Sequence, residues 1–183
     1  MAVHIDLGFE PRPHQRAAHT LRATVQFLVL VWHRRAGKTV FAVMELVLAA
    51  LGSKDPVARF GYIAPLLKQA KSIAWDILKH YARLVPDTDI NESELQVTFP
   101  NGCRIRLFGA DNPDSFRGLY FNGLVVDEPA DMKPQIWGEI LVPTLSDKSG
   151  WALFIGTPKG VNLFSQLYYK ALKGDGWAAD MKR

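Results

Sequence analysis

The run Phe27-Leu-Val-Leu-Val-Trp32, followed by His33-Arg-Arg-Ala-Gly37-Lys38-Thr39, constrains this chain more than any other stretch. An unbroken apolar run suits a strand covered on both faces, as in a parallel sheet. Apolar spacing over Lys38–Leu51 predicts a helix that stops at Gly52. Strand, loop and helix in that order form a phosphate-binding loop. Gly37 lets the backbone approach a phosphate oxygen without a Cβ. The N–H groups of the loop, Ala36 and Gly37 among them, and of the helix N-terminus then point at the anion. Lys38 supplies positive charge to the β- and γ-phosphates, and the Thr39 hydroxyl can hold Mg²⁺. The first glycine of the usual pattern is replaced here by Trp32.

A second apolar strand ends in two carboxylates, Gly123-Leu-Val-Val-Asp127-Glu128. Its direction places Asp127 at the C-terminal edge of the sheet, where ligands sit in open α/β folds. There Asp127 can organise Mg²⁺, directly or through water, and Glu128 can polarise a water for attack on a γ-phosphate. An Asp-Glu pair alone also fits a solvated strand end. The order, phosphate loop first and acidic strand later, is the order P-loop nucleotidases use, and the glutamate argues for hydrolysis beyond binding.

The remaining punctuation predicts a helix over Pro11–Ala23, a strand over Arg59–Ala64 and an amphipathic helix over Lys68–Leu84 carrying Ile73, Ile77, Leu78 and Tyr81. Strands Leu95–Phe99 and Cys103–Phe108 flank Pro100-Asn101-Gly102, a hairpin turn. A polar loop over Asp111–Gly118 leads to the acidic strand Phe121–Asp127. Gln135–Leu145 reads as helix, Trp151–Ile155 as strand, Val161–Lys173 as helix, and a Gly-rich charged tail follows. Alternating strands and helices imply right-handed crossovers. The fold class is therefore α/β: a P-loop NTPase with a mostly parallel central sheet flanked by helices, and an added β-hairpin at a mixed edge. The 183 residues, 48% of them apolar, suffice for one such domain. The net charge of +4 is compatible with a polyanionic partner. The single cysteine, Cys103, excludes an internal disulfide and favours a reducing compartment. The five histidines, His4, His14, His19, His33 and His80, show no paired ligand spacing, so no structural zinc is expected. No apolar tract is long enough to span a bilayer.

Five segments taken in order, Phe9-x-Pro11-x-Pro13-x-Gln15, Trp32-His-Arg-Arg-Ala-Gly-Lys-Thr39, Ser115-Phe-Arg117-Gly118, Leu124-Val-Val-Asp127-Glu128 and Ile155-Gly-Thr157-Pro-Lys159, resemble the ATPase domain of the large terminase subunit of tailed bacteriophages. The resemblance covers nearly the whole chain. It implies an ATP- and Mg²⁺-dependent motor that packages double-stranded DNA into procapsids in the host cytoplasm. It also implies a homo-oligomeric ring when assembled and a monomer as an isolated domain, with the portal protein and the small terminase subunit as partners. Gln15 would read the adenine edge; by spacing alone it is equally a surface glutamine. Phe9 would stack near the base or pack in the core. Arg34 matches the P-loop arginine that contacts the γ-phosphate, and Arg35 joins that contact or is structural. Thr157 matches the coupling motif that senses the γ-phosphate, or makes only a strand-end turn. Arg117 matches an arginine finger for a neighbouring subunit, or is solvated. Full terminases carry an RNase H-like nuclease beyond the coupling motif. With the sequence ending at Arg183, residues 1–183 are expected to be the ATPase domain alone, with no nuclease activity and with the lid region truncated.

Two other readings stay open: a helicase-like, nucleic-acid-dependent ATPase, and a non-catalytic assembly or DNA-binding module. Pro129-Ala130 after the acidic pair and Gly156-Thr157-Pro158 favour the terminase over the helicase. An intact set of Lys38, Thr39, Asp127 and Glu128 argues against a decayed site. Lys68, Lys71, Arg104, Arg106, Lys182 and Arg183 are the candidate phosphate contacts on DNA.

Overall fold

The computed structural model describes residues 5–182; His4 and Arg183 lie outside the described residues. Eight strands form one sheet: β1 (Phe27–Trp32), β2 (Arg59–Ala64), β3 (Asp89–Asn91), β4 (Gln96–Thr98), β5 (Arg104–Gly109), β6 (Gly123–Asp127), β7 (Trp151–Gly156) and β8 (Trp177–Lys182). They lie in the order β3-β4-β5-β2-β6-β7-β1-β8. From β5 to β8 every neighbour is parallel, while β3–β4 and β4–β5 pair antiparallel, which is the expected hairpin edge. Gly102 makes the turn at φ 87, and a Cβ there would lie 2.3 Å from the Pro56 carbonyl oxygen.

Strand alternation splits the core. Leu28, Leu30 and Trp32 of β1 join Tyr62 and Ile105 on one face, and Val29 and Val31 join Ile63 and Phe154 on the other. Helices α1 (Pro13–Arg22) and α2 (Lys38–Gly52), with α3 (Leu67–Ala70) and α4 (Asp76–Ala82), cover the first face. Helices α5 (Val142–Ser146) and α6 (Leu163–Ala171) cover the second. Glu45 of α2 is buried on the first face between His19 and Arg22 of α1.

Several expectations needed correction. The tail after α6 is a strand, β8, paired with β1 from Phe27↔Trp177 to Trp32↔Lys182. Gly174, Asp175 and Gly176, all at positive φ, make a tight turn into it. The helix expected over Lys68–Leu84 contains a π turn at Lys71–Trp75. The residue inserted by a π turn rotates the helix, so Ile73 is 43% exposed and Ala70, Ala74 and Trp75 face the core instead. The helix expected over Gln135–Leu145 likewise opens with a π segment, Ile136–Leu141, two residues before Pro143, which cannot donate to the helical ladder. Short strand β3 went unrecognised, and helix α2 takes in Gly52 before stopping.

Candidate functional site

Parallel strands put their C-terminal ends on one edge, and the strand order β6-β7-β1 fixes what stands side by side there. Asp127 ends β6 and Glu128 follows it, Gly156 ends β7 and Thr157 follows it, and His33–Gly37 leave β1. Three segments distant in sequence thus form one row.

The loop turns through Arg35 (φ 67) and Gly37 (φ 78), the second capping α2 in the left-handed region that glycine adopts without strain. A Cβ on Gly37 would come within 2.9 Å of Gln15 Nε2. Ala36 is buried, and its carbonyl meets His14 Nε2 at 3.0 Å. Trp32, at the usual glycine position, points away from the loop into the core. Its indole N–H donates to Asp180 Oδ2 of β8 at 2.6 Å, and its ring meets His14 edge-on at 4.8 Å. The loop therefore tolerates a large residue at its start.

Lys38 Nζ donates to the carbonyls of Trp32 (2.9 Å) and His33 (3.1 Å). An ammonium has three donors, which leaves one for an anion. Burial holds its pKa below the usual lysine value, opposed by the charges of Glu128 and Asp127 and reinforced by Arg34. Arg34 is exposed and within electrostatic reach of Lys38, whereas the Arg35 carbonyl accepts from Arg12.

Asp127 is buried, and desolvation raises its pKa to about 6 against a hydrogen bond from Tyr62 that favours the carboxylate. Glu128 stands in the left-handed region (φ 48, ψ 54), uncommon for a residue with a side chain. Its N–H donates to Ile155 O at 2.8 Å, which ties the turn to β7. Its carboxylate accepts from the Thr157 N–H (3.3 Å) and hydroxyl (3.2 Å), with Lys159 Nζ 3.9 Å away. Thr157 is thus more than a turn former.

Gln15 is 3% exposed, so it is no surface glutamine. Its Nε2 donates to Gly37 O at 3.1 Å, and its Oε1 accepts from Arg12 N–H at 2.8 Å. A cleft of about 490 Å³ beside it is lined by Phe9, Pro11, Phe41, Met44 and Leu48. Arg117 is set apart from the row. It is 85% exposed, pairs with Asp114 at 2.9 Å, and lines a cleft with Glu139 and Pro143 on the sheet face opposite α2. The basic candidates also separate. Lys68 and Lys71 follow β2 at the phosphate-loop edge, while Arg104 and Arg106 start β5 at the other, where Arg106 pairs with Glu94 at 2.6 Å. Lys182 ends β8, and Arg183 lies outside the described residues.

Sequence reasoning missed Tyr62, Lys159, His14 and Arg12. Tyr62 carried a signal: a phenol in a strand buried on both faces needs a hydrogen-bond partner.

A family model described as terminase large subunit, T4likevirus-type, N-terminal matches residues 32–182. The large terminase subunit of Thermus virus P23-45 is 31% identical over 187 residues, covering 92% of this chain and 38% of that one. This chain thus spans well under half the length of the curated relatives it matches. The large terminase ATPase domain of Thermus phage P74-26 superposes with a TM-score of 0.83 at 26% identity, covering 96% and 82% of the two chains. The large terminase of bacteriophage D6E in complex with ATP-γ-S shares the fold, with a TM-score of 0.68 at 16% identity over 92% and 44% of the chains.

Proposed function

The chain belongs to the T4likevirus-type terminase large-subunit N-terminal family, and from that premise we propose that residues 1–183 are an ATP-hydrolysing motor domain that drives double-stranded DNA into procapsids. The observation that carries this reading is the row Asp127-Glu128, Gly156-Thr157 and His33–Thr39 along one sheet edge. It brings a phosphate cradle, an acid for metal and an acid for water into one place.

In this reading Ala36, Gly37, Lys38 and the start of α2 hold the phosphates, with Arg34 toward the γ-phosphate and Arg35 shaping the loop. Gln15 and the cleft beside it take the adenine. Glu128 orients and deprotonates the attacking water, and Thr157, bonded to it, reports the state of the γ-phosphate. Asp127 and Thr39 fit Mg²⁺ in the manner of a nucleotide-bound ion: one buried carboxylate and one hydroxyl, with the other ligands left to phosphate and water. Mg²⁺ would neutralise charge that develops on the phosphate oxygens. Support for ATP also comes from the D6E terminase, which shares the fold and is described with ATP-γ-S. Duplex DNA, the portal protein, the small terminase subunit and further copies of this chain in a ring, all in the host cytoplasm, complete the proposal. Among the described residues no helix is long and apolar enough to cross a membrane.

The test is calorimetric titration with Mg²⁺·ATP, followed by turnover with and without duplex DNA. Lys38→Ala removes a charge-assisted contact of about 1.5–3 kcal/mol, so affinity falls about ten- to hundredfold. Glu128→Gln binds as the native chain does but hydrolyses about 10²-fold more slowly. Equal affinity in the native chain and Lys38→Ala would remove the phosphate-loop assignment.

A further inference from the structure

We propose that Tyr62 is a positioning residue for the metal site, holding Asp127 so that one carboxylate oxygen stays free for the ion; this rests on the nucleotide-site reading above. Tyr62 is 1% exposed at the centre of β2, and its hydroxyl donates to Asp127 Oδ2 at 2.5 Å. The register explains the reach. Tyr62 lies opposite Val125 of β6, and Asp127 is the next residue of β6 on the same face.

Tyr62 thus holds the carboxylate of β6 from the neighbouring strand β2. A carboxylate has two acceptor oxygens. With Oδ2 held by Tyr62, Oδ1 remains for metal or a metal-bound water, and the carboxylate cannot rotate without breaking a buried hydrogen bond. Groups that orient metal ligands in this way typically contribute about 10- to 100-fold in metal affinity.

The test uses Mn²⁺ as the probe, titrated by electron paramagnetic resonance into the protein·ADP complex. Tyr62→Phe keeps the ring and its packing and removes only the hydroxyl. The expected result is Mn²⁺ binding weakened about tenfold, with metal-free ADP affinity within about twofold of the native chain. Equal Mn²⁺ affinity in both chains would reduce Tyr62 to core packing. If the native chain binds ADP without any coupling to Mn²⁺, the metal site and with it this proposal fail, whereas a native chain that binds no ADP overturns the nucleotide-site reading itself, an outcome distinct from the first. Should Tyr62→Phe not fold, 3-fluorotyrosine placed at position 62 retains the hydroxyl. Its fluorine resonance is expected to move when Mg²⁺ joins the ADP complex, and an unmoved resonance would overturn the proposal.

Discussion

Thr157 donates both its backbone N–H and its hydroxyl to the carboxylate of Glu128, at 3.3 and 3.2 Å, so the end of β7 controls where the acid at the end of β6 points. Glu128 is held at φ 48 by its own backbone bond to Ile155. A non-glycine residue kept in that region costs free energy and persists only where its surroundings hold it. Any movement of Thr157 is therefore passed on to Glu128 directly.

Thr157→Val should keep the backbone donor and the side-chain shape while removing the hydroxyl. Misorientation of a catalytic group costs up to about 10²-fold in rate. We expect single-turnover hydrolysis to slow by about 10- to 10²-fold with ATP affinity little changed. A rate equal to the native one would leave the hydroxyl with no part in orienting Glu128.

Asp127 gives the free domain a pH dependence whose sign follows from burial. Its folded pKa of about 6 lies above the ordinary 3.8. Between those values the folded carboxyl keeps a proton that the unfolded one has lost. Stability from this group is thus full below about pH 4, falls as pH rises toward 6, and stays low above it. The shift corresponds to about 3 kcal/mol. Asp127→Asn should therefore be the more stable chain at pH 8 and lose that advantage near pH 4, in denaturant titrations without nucleotide. An advantage that does not change with pH would refute the burial account.

Glu45 places a buried carboxylate between α1 and α2, bonded to His19 Nδ1 at 2.5 Å and to Arg22 Nε. Removing one partner of a buried pair strands the other charge, at about 3 kcal/mol or more. Arg22 also lies 4.7 Å over the Trp151 ring, so its removal leaves that ring partly uncovered as well. Arg22→Met should lower the melting temperature by about 6–12 °C. Glu45→Met removes the charge that needs the partner and should cost clearly less. Equal losses in the two variants would show that the pair contributes by packing alone.

The legible part of this molecule is what local pattern determines. The apolar run Phe27–Trp32 became β1 with the same ends, and Arg59–Ala64 became β2 likewise, because buried parallel strands read as continuous apolar runs. Strand β8 was hidden because Trp177-Ala-Ala-Asp-Met-Lys182 has neither an apolar run nor clean alternation. It forms through pairing with β1, a tertiary fact. The Trp32–Thr39 loop and the Asp127-Glu128 pair were readable as strand ends, because each closes an apolar run that suits a buried parallel strand. Tyr62 and Lys159 were not, since their roles depend on which strands become neighbours. The fate of Gln15 was half legible: its residue type pointed to the site, but only packing of α1 on the loop places its amide on Gly37.

Among the described residues Arg117 is not joined to the proposed nucleotide site of its own chain. Among the described residues no hydrogen bond or ion pair joins it to Lys38, Asp127 or Glu128, and its only ion pair is the exposed one with Asp114. Such pairs contribute little and release readily. The loop that carries it is anchored by Phe116, buried against Phe108 at 5.1 Å between ring centroids, so the guanidinium is presented outward from a fixed base. A cation displayed in this way can complete the site of an adjacent copy, and an arginine finger is worth ~10³-fold or more in rate. The isolated domain should then be a monomer with little turnover, and turnover should rise with protein concentration or on tethering into a ring. Arg117→Ala should bind ATP as the native chain does and abolish that rise. Mixing Arg117→Ala with Glu128→Gln should restore some turnover, because a finger from the second variant meets an intact acid in the first. A rate that is independent of concentration and unchanged in Arg117→Ala would rule out the role in trans and leave Arg34 as the arginine acting on the γ-phosphate.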